Sequence, residues 1–220
     1  MSDPHRRLLG DILAVGSLFP LAVSGSCAVR AHGLLDGAGD GVSVATENPA
    51  RMEFIAATVR AGLEECGWRV RTVGRSPLTA QLIVTAPDSG AEYEVELAKE
   101  VFWRPPVPTG LGPALALEDV IGTKVRALAD LGLPRDLVDV HAGRKLWSHP
   151  ELEELGRRHT RDPFDLTDLQ ARLAATDWID DAEFTARGLD DGAVVDLRRW
   201  AQEWAYDIAE RLIEGQPPEE

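Results

Sequence analysis

Apolar residues recur at helical spacing near the start of the chain, where Leu8, Leu9, Ile12 and Leu13 follow Ser2-Asp3-Pro4, a start signal with proline just inside the first turn. The spacing predicts a helix of about four turns, which Pro20 ends. Leu21-Ala22-Val23 predicts a short strand, Ser24-Gly25-Ser26 a turn of small residues, and Cys27 to His32 a helix that runs into the glycine-rich loop Asp36-Gly37-Ala38-Gly39-Asp40-Gly41. Val42-Ser43-Val44-Ala45-Thr46 alternates apolar and polar, the period of a strand. Between Met52 and Cys66, Phe54, Ile55, Val59 and Leu63 share one side of a helix that Gly67 closes. Three strands follow, Trp68 to Val73, Ala80 to Thr85 and Tyr93 to Leu97, the last two joined as a hairpin by Pro87-Asp88-Ser89-Gly90. From Glu118 the period is helical to the end, with Trp200 and Trp204 one turn apart in the final helix.

The pattern therefore changes near residue 115, and no repeat runs through it. The expected fold class is α/β (α+β), a mixed sheet core over residues 1–112 and a helical domain over 113–220, parted in the loop from Arg104-Pro105-Pro106 to Gly112-Pro113. The longest apolar stretch, Ile12 to Val23, is broken by Gly16, Ser17 and Pro20 and is too short to span a bilayer. No basic segment with a cleavage site precedes it, so the expected location is the cytoplasm, with no membrane partner.

Charge narrows the function classes. With 23 Lys plus Arg against 37 Asp plus Glu, the 220 residues carry a formal charge of -14, which repels phosphate backbones at long range. Bulk nucleic acid is therefore not an expected partner, although a local basic groove stays open. Arginine outnumbers lysine 20 to 3, which together with abundant Ala, Gly, Leu and Asp resembles the composition that the codon bias of a GC-rich bacterial genome produces. Cys27 and Cys66 stand far apart with no Cys-x-x-Cys or Cys/His cluster, against a zinc site and in keeping with buried thiols in a reducing compartment.

The order of elements, a Gly-Ser turn, a short helix, a loop, an edge strand, a long helix and two further strands, resembles that of the nucleotidyltransferase superfamily, whose chemistry is phosphoryl transfer. Such chemistry needs backbone amides at a helix start to cradle phosphate, two carboxylates at i and i+2 on a strand to hold divalent metal, and a third carboxylate on a neighbouring strand. Ser24-Gly25-Ser26 before a helix, the strand Tyr93-Glu94-Val95-Glu96-Leu97, Gly122-Thr123-Lys124-Val125-Arg126-Ala127-Leu128-Ala129-Asp130, and Pro134-Arg135-Asp136-Leu137-Val138-Asp139 resemble the AbiEii/AbiGii-type nucleotidyltransferase toxins over about residues 15 to 145. The lysine-led helix followed by Arg-Asp-x-x-Asp is the most specific part. The resemblance implies the nucleotidyltransferase fold, a cleft between its two halves, and a magnesium nucleoside triphosphate as cofactor and substrate.

One part of the family pattern is missing. Where the family carries its metal-binding Asp-x-Asp, this chain reads Gly41-Val42-Ser43, and Asp36 and Asp40 stand in the wrong register to replace it. The third carboxylate position is Glu96. A hard dication left without two anionic ligands has too few oxygen donors, so no cofactor and no metal residues are expected, and paired Asp substitutions at Gly41 and Ser43 are expected to restore metal affinity.

The remaining residues carry the function expectations. Glu96 and Lys124 are the candidate catalytic pair, Glu96 as acid/base group, a role a partly apolar cleft favours. Gly25, Ser26, Arg135, Asp136 and Asp139 are the candidate ligand-binding set. Each has an ordinary structural reading beside it: Ser26 as helix N-cap, Lys124 as a solvated helix residue, Asp136 as a first-turn acid, and Glu92, Glu94 and Glu96 as the wet face of a hairpin. Cys27 and His32 are five apart and do not share a helix face well enough for a nucleophile pair. The leading expectation is a repurposed enzyme or pseudoenzyme holding a small-molecule or nucleotide ligand without two-metal chemistry. The alternatives are an active toxin-type nucleotidyltransferase, using Glu96, Asp40 and substrate phosphates around one metal, and a non-enzymatic interaction protein with an apolar patch at Trp200 and Trp204. Substrate and oligomeric state are left open by the sequence.

Overall fold

The structure, a computed structural model, describes residues 3–36, 41–159 and 163–214. They form two compact units, Met1–Val120 and Ile121–Glu220.

In the first unit, α1 (Asp3–Val15) is followed by β1 (Ala22–Val23), α2 (Gly25–Ala31), β2 (Gly41–Thr46), α3 (Met52–Glu65), β3 (Arg69–Arg75), β4 (Thr79–Thr85), β5 (Glu92–Lys99), β6 (Val107–Thr109) and β7 (Gly112–Ala114). The seven strands make one mixed sheet in the order β3-β4-β5-β2-β1-β7-β6. β2 lies parallel to β5, while β3–β4, β4–β5, β1–β2 and β6–β7 are antiparallel. Alternation sorts the residues by face: Leu82, Val84, Tyr93, Val95, Leu97, Val42 and Val44 are buried, and α1 and α3 pack on the sheet. On α3 the buried stripe is Met52, Ile55, Ala56, Val59 and Leu63, which includes Ile55, Val59 and Leu63 of the predicted side, whereas Phe54 is exposed.

The chain leaves α3 through a glycine turn. Gly67 has φ +90, its N–H bonds the Glu64 carbonyl and the Trp68 N–H bonds that of Leu63, the paired bonds of a Schellman stop. Trp68 is thereby turned inward, where its indole N–H donates to Asp11 of α1 at 2.8 Å and the Arg7 guanidinium lies over its ring.

The predicted linker at 104–113 is in part folded. β6 and β7 form a small hairpin there, and β7 runs parallel to β1, with the Leu115 N–H bonding the Val23 carbonyl at 2.9 Å. Helix α4 (Leu117–Leu131) runs across the division between the units. The second unit continues with α5 (Pro134–Ala142), α6 (His149–Arg158), α7 (Leu166–Ala174), a 3-10 turn (Ala175–Trp178), α8 (Asp181–Thr185) and α9 (Asp191–Glu214). Its interior holds Leu152, Leu169, Leu173, Phe184, Val194, Leu197 and Trp204. Trp204 is fully buried, its indole N–H donating to the buried Glu153 at 2.9 Å, and Trp200 is half-buried. The buried Trp204 belongs to the interior, not to an exposed patch. Among the described residues, no helix is long and apolar enough to cross a membrane.

Candidate functional site

The positions that the resemblance implies for metal lie on β2, where Gly41 and Ser43 alternate with the buried Val42 and Val44. In the parallel register of β2 and β5, Gly41 stands beside Glu94 and Ser43 beside Glu96. With Glu92 these acids form the exposed row of β5. Glu96 therefore occupies the strand position that the resemblance implies, yet its side chain is exposed and not in the partly apolar surroundings expected for an acid/base group.

Helix α2 meets the same strand. Gly25 has φ +56, and a Cβ added there would lie 3.0 Å from both Cβ and Oγ of Ser43, so the turn approaches β2 more closely than a larger residue allows. The Ser24 N–H donates to the Ser43 carbonyl at 2.9 Å. Ser24, extended at φ -135, is the N-cap of α2 and makes no side-chain capping bond. Ser26 thus sits inside the first turn, which corrects its reading as the cap. Cys27 is buried and its thiol donates to the Gly41 carbonyl at 3.0 Å, whereas the His32 ring bonds the Leu115 carbonyl at 2.8 Å. The two side chains serve different carbonyls, as expected from their poor helical spacing.

These residues do not fit a pair of divalent cations. The two strand positions supply one hydroxyl and no carboxylate, where a hard dication takes six or more oxygens. A Cβ built on Gly41 would lie 2.7 Å from the Glu94 carbonyl oxygen and 3.3 Å from its Cβ, so no side chain fits there as the strands stand. This corrects the expectation that an aspartate pair can simply be put back. No group of three or more His, Cys, Asp or Glu among the described residues is placed to hold a metal ion. Asp40, the other ligand of the one-metal alternative, lies outside the described residues.

The second unit brings Lys124, Asp136 and Asp139 together. The Lys124 ammonium is 2.8 Å from Asp136 Oδ1 and 2.8 Å from Asp139 Oδ2, with all three side chains buried. Burial works against the charged ammonium, but Asp139 and Asp136 outweigh it and hold the Lys124 pKa above its ordinary value. Asp136 falls in the first turn of α5, as its acid-after-proline context predicts, and its Oδ2 is buried without a hydrogen-bond partner. Arg135 Nε lies 3.9 Å from that oxygen, its side chain half exposed. The candidate lysine is thus a buried cation already engaged by two carboxylates. Gly122, two residues before it, has a packing role: a Cβ there would lie 2.5 Å from the Leu155 carbonyl of α6.

Sequence reading missed two buried acids. Asp119 accepts the backbone N–H groups of Trp103 and Arg104 at 3.3 and 3.0 Å, which fixes the chain after β5. Glu153 accepts from Trp204 and Arg211. In sequence both look like acids on the wet side of a helix, and their long-range partners leave no local signal. His141 is buried against Trp200, with Nε2 3.4 Å from Asp196, and burial, followed by Arg144, pushes its pKa down to about 4.

No family model and no curated protein matches the sequence. Similarity appears among solved structures. A candidate nucleotidyltransferase from H. pylori is 13% identical, with 99% of this chain and 100% of that one covered at a TM-score of 0.58. JHP933 from Helicobacter pylori is 16% identical over 97% of each chain, TM-score 0.55. MenT4, a nucleotidyltransferase toxin from Mycobacterium tuberculosis H37Rv, is 16% identical over 92% of this chain and 84% of its own, TM-score 0.57. At such identities the likeness is one of backbone path, and it establishes that this chain has the nucleotidyltransferase fold.

Proposed function

We propose that this protein is related to the AbiEii/AbiGii-type nucleotidyltransferase toxins but does not carry out two-metal phosphoryl transfer, and that it binds or transforms a small-molecule or nucleotide ligand. The observation that carries this reading is Gly41 and Ser43 at the two strand positions beside Glu94 and Glu96. Without the carboxylate pair, the metal that would bridge phosphate to this acidic row has no seat. Other parts of the pattern are kept: in the first unit Gly25 and Ser26 remain at the turn against β2, and in the second unit Lys124, Arg135, Asp136 and Asp139 form a charged cluster. In this reading Glu96 takes or gives a proton beside Ser43, and Gly25 and Ser26 hold the ligand at the turn against β2. The second unit's own cluster supplies Arg135 and the acids at 136 and 139 as ligand-binding groups, and Lys124 as catalytic cation once a ligand displaces a carboxylate from it.

One observation favours a second reading. Glu94 and Glu96 are themselves two residues apart on one strand face, next to the vacated positions, so a single dication held with substrate phosphates would restore a working nucleotidyltransferase. The readings part on ligand and metal. Native mass spectrometry of the purified protein should show a bound organic molecule whose retention is unchanged by EDTA and reduced in a Glu96→Gln protein of matched melting temperature. A bound nucleoside triphosphate released by EDTA would establish the second reading. If no ligand is retained and Glu96→Gln behaves as the parent, the interaction-protein alternative takes over.

A further inference from the structure

We propose that β5 closes the first metal-ligand position of β2 at Gly41, while the second already carries the Ser43 side chain, so that loss of the paired-carboxylate site is built into the strand register and not into two reversible substitutions. The inference rests on the reading of Gly41 and Ser43 as the Asp-x-Asp positions. Its ground is the contact itself: an added Cβ at Gly41 meets the backbone oxygen of Glu94 at 2.7 Å, closer than Cβ atoms stand to backbone. A flexible side-chain tip could swing aside, but a strand carbonyl cannot.

The strands have little freedom to part. β2 and β5 are paired without interruption from Gly41↔Glu94 to Thr46↔Lys99, so opening one end strains the ladder beyond it. On its other side β2 is fastened to the start of α2, where the Cys27 thiol bonds the Gly41 carbonyl and the Ser24 N–H bonds the Ser43 carbonyl. A side chain at 41 must break one of these fastenings or the ladder. Ser43 differs because it already carries a Cβ, for which the glycine at 25 leaves room: a Cβ added at 25 would lie 3.0 Å from it. Gly41 is therefore a specificity-determining residue: it commits the site to ligands recognised without a bridging dication, any phosphate being met by backbone amides or cationic side chains.

The test uses the full-length protein and three variants, Gly41→Ala, Gly41→Asp and Ser43→Asp, read by thermal melting and by calorimetric titration with Mn²⁺ alone. Gly41→Ala adds one methyl group and should lower Tm by about 5 °C, the size of a forced backbone shift. Ser43→Asp should melt nearer the parent than Gly41→Ala does, and Gly41→Asp should gain no Mn²⁺ affinity. A Gly41→Ala protein with parental Tm, a Ser43→Asp protein that melts as low as Gly41→Ala, or a Gly41→Asp protein that binds Mn²⁺ at micromolar Kd would each overturn the proposal. Failure of the proposed function itself is read separately, as metal-dependent chemistry in the parent.

Discussion

Lys124 shows how far one buried charge can be read in two ways. Its ammonium is held by Asp136 and Asp139 at 2.8 Å each, and removing it leaves two carboxylates in an interior that cannot solvate them. Lys124→Met is therefore expected to cost about 3–5 kcal/mol, measured by urea unfolding; a parental midpoint would mean that the cluster is solvated in solution. His141 supplies a pH dependence. Its pKa is about 4 in the folded chain against 6.5 for an ordinary histidine, so the folded state prefers the neutral ring and the unfolded state takes up the proton first. The stability it provides is complete above pH 6.5 and is lost as the pH falls from 6.5 towards 4. His149, also shifted down by burial, acts in the same direction. Tm against pH should fall less steeply across that window in His141→Gln than in the parent, and equal slopes would remove His141 from the account.

At the scale of elements, two glycines predicted to matter do so for different reasons. Gly67 ends α3 at positive φ with open space around it, so Gly67→Ala should cost only the strain of a left-handed residue, about 1 kcal/mol. Gly122 packs α4 on α6, and Gly122→Ala must push the helices apart, at about 1–3 kcal/mol. Denaturant midpoints that rank Gly67→Ala as the more damaging change would contradict this packing. The pattern of the chain disclosed β1 to β5 and α1 to α3 because alternation and helical stripes are local signals. The β6–β7 hairpin stayed hidden because its strands are three residues long and Pro108 faces Pro113, so the segment reads as a linker. The place of Glu96 beside Ser43 was legible only through the resemblance, since β2 and β5 are paired across α3, β3 and β4. The clash at Gly41 had no sequence signal beyond a glycine where an aspartate was expected.

At the scale of the whole molecule, charge and fold pull in opposite directions. The fold is shared with a nucleotidyltransferase toxin, while the formal charge of -14 and the exposed row Glu92, Glu94 and Glu96 oppose a polyanionic substrate. Binding to bulk tRNA at physiological salt should therefore be weaker than the non-specific Kd of roughly 10⁻⁴–10⁻⁶ M found for nucleic-acid-binding proteins, with fluorescence anisotropy as the readout. The central claim is the absence of two-metal phosphoryl transfer, and the most direct measurement is incorporation of radiolabelled nucleotide from each nucleoside triphosphate into tRNA and protein acceptors with Mg²⁺ or Mn²⁺. The account predicts no incorporation above an EDTA-treated control. Metal-dependent transfer by the parent that is lost in Glu96→Gln would contradict it.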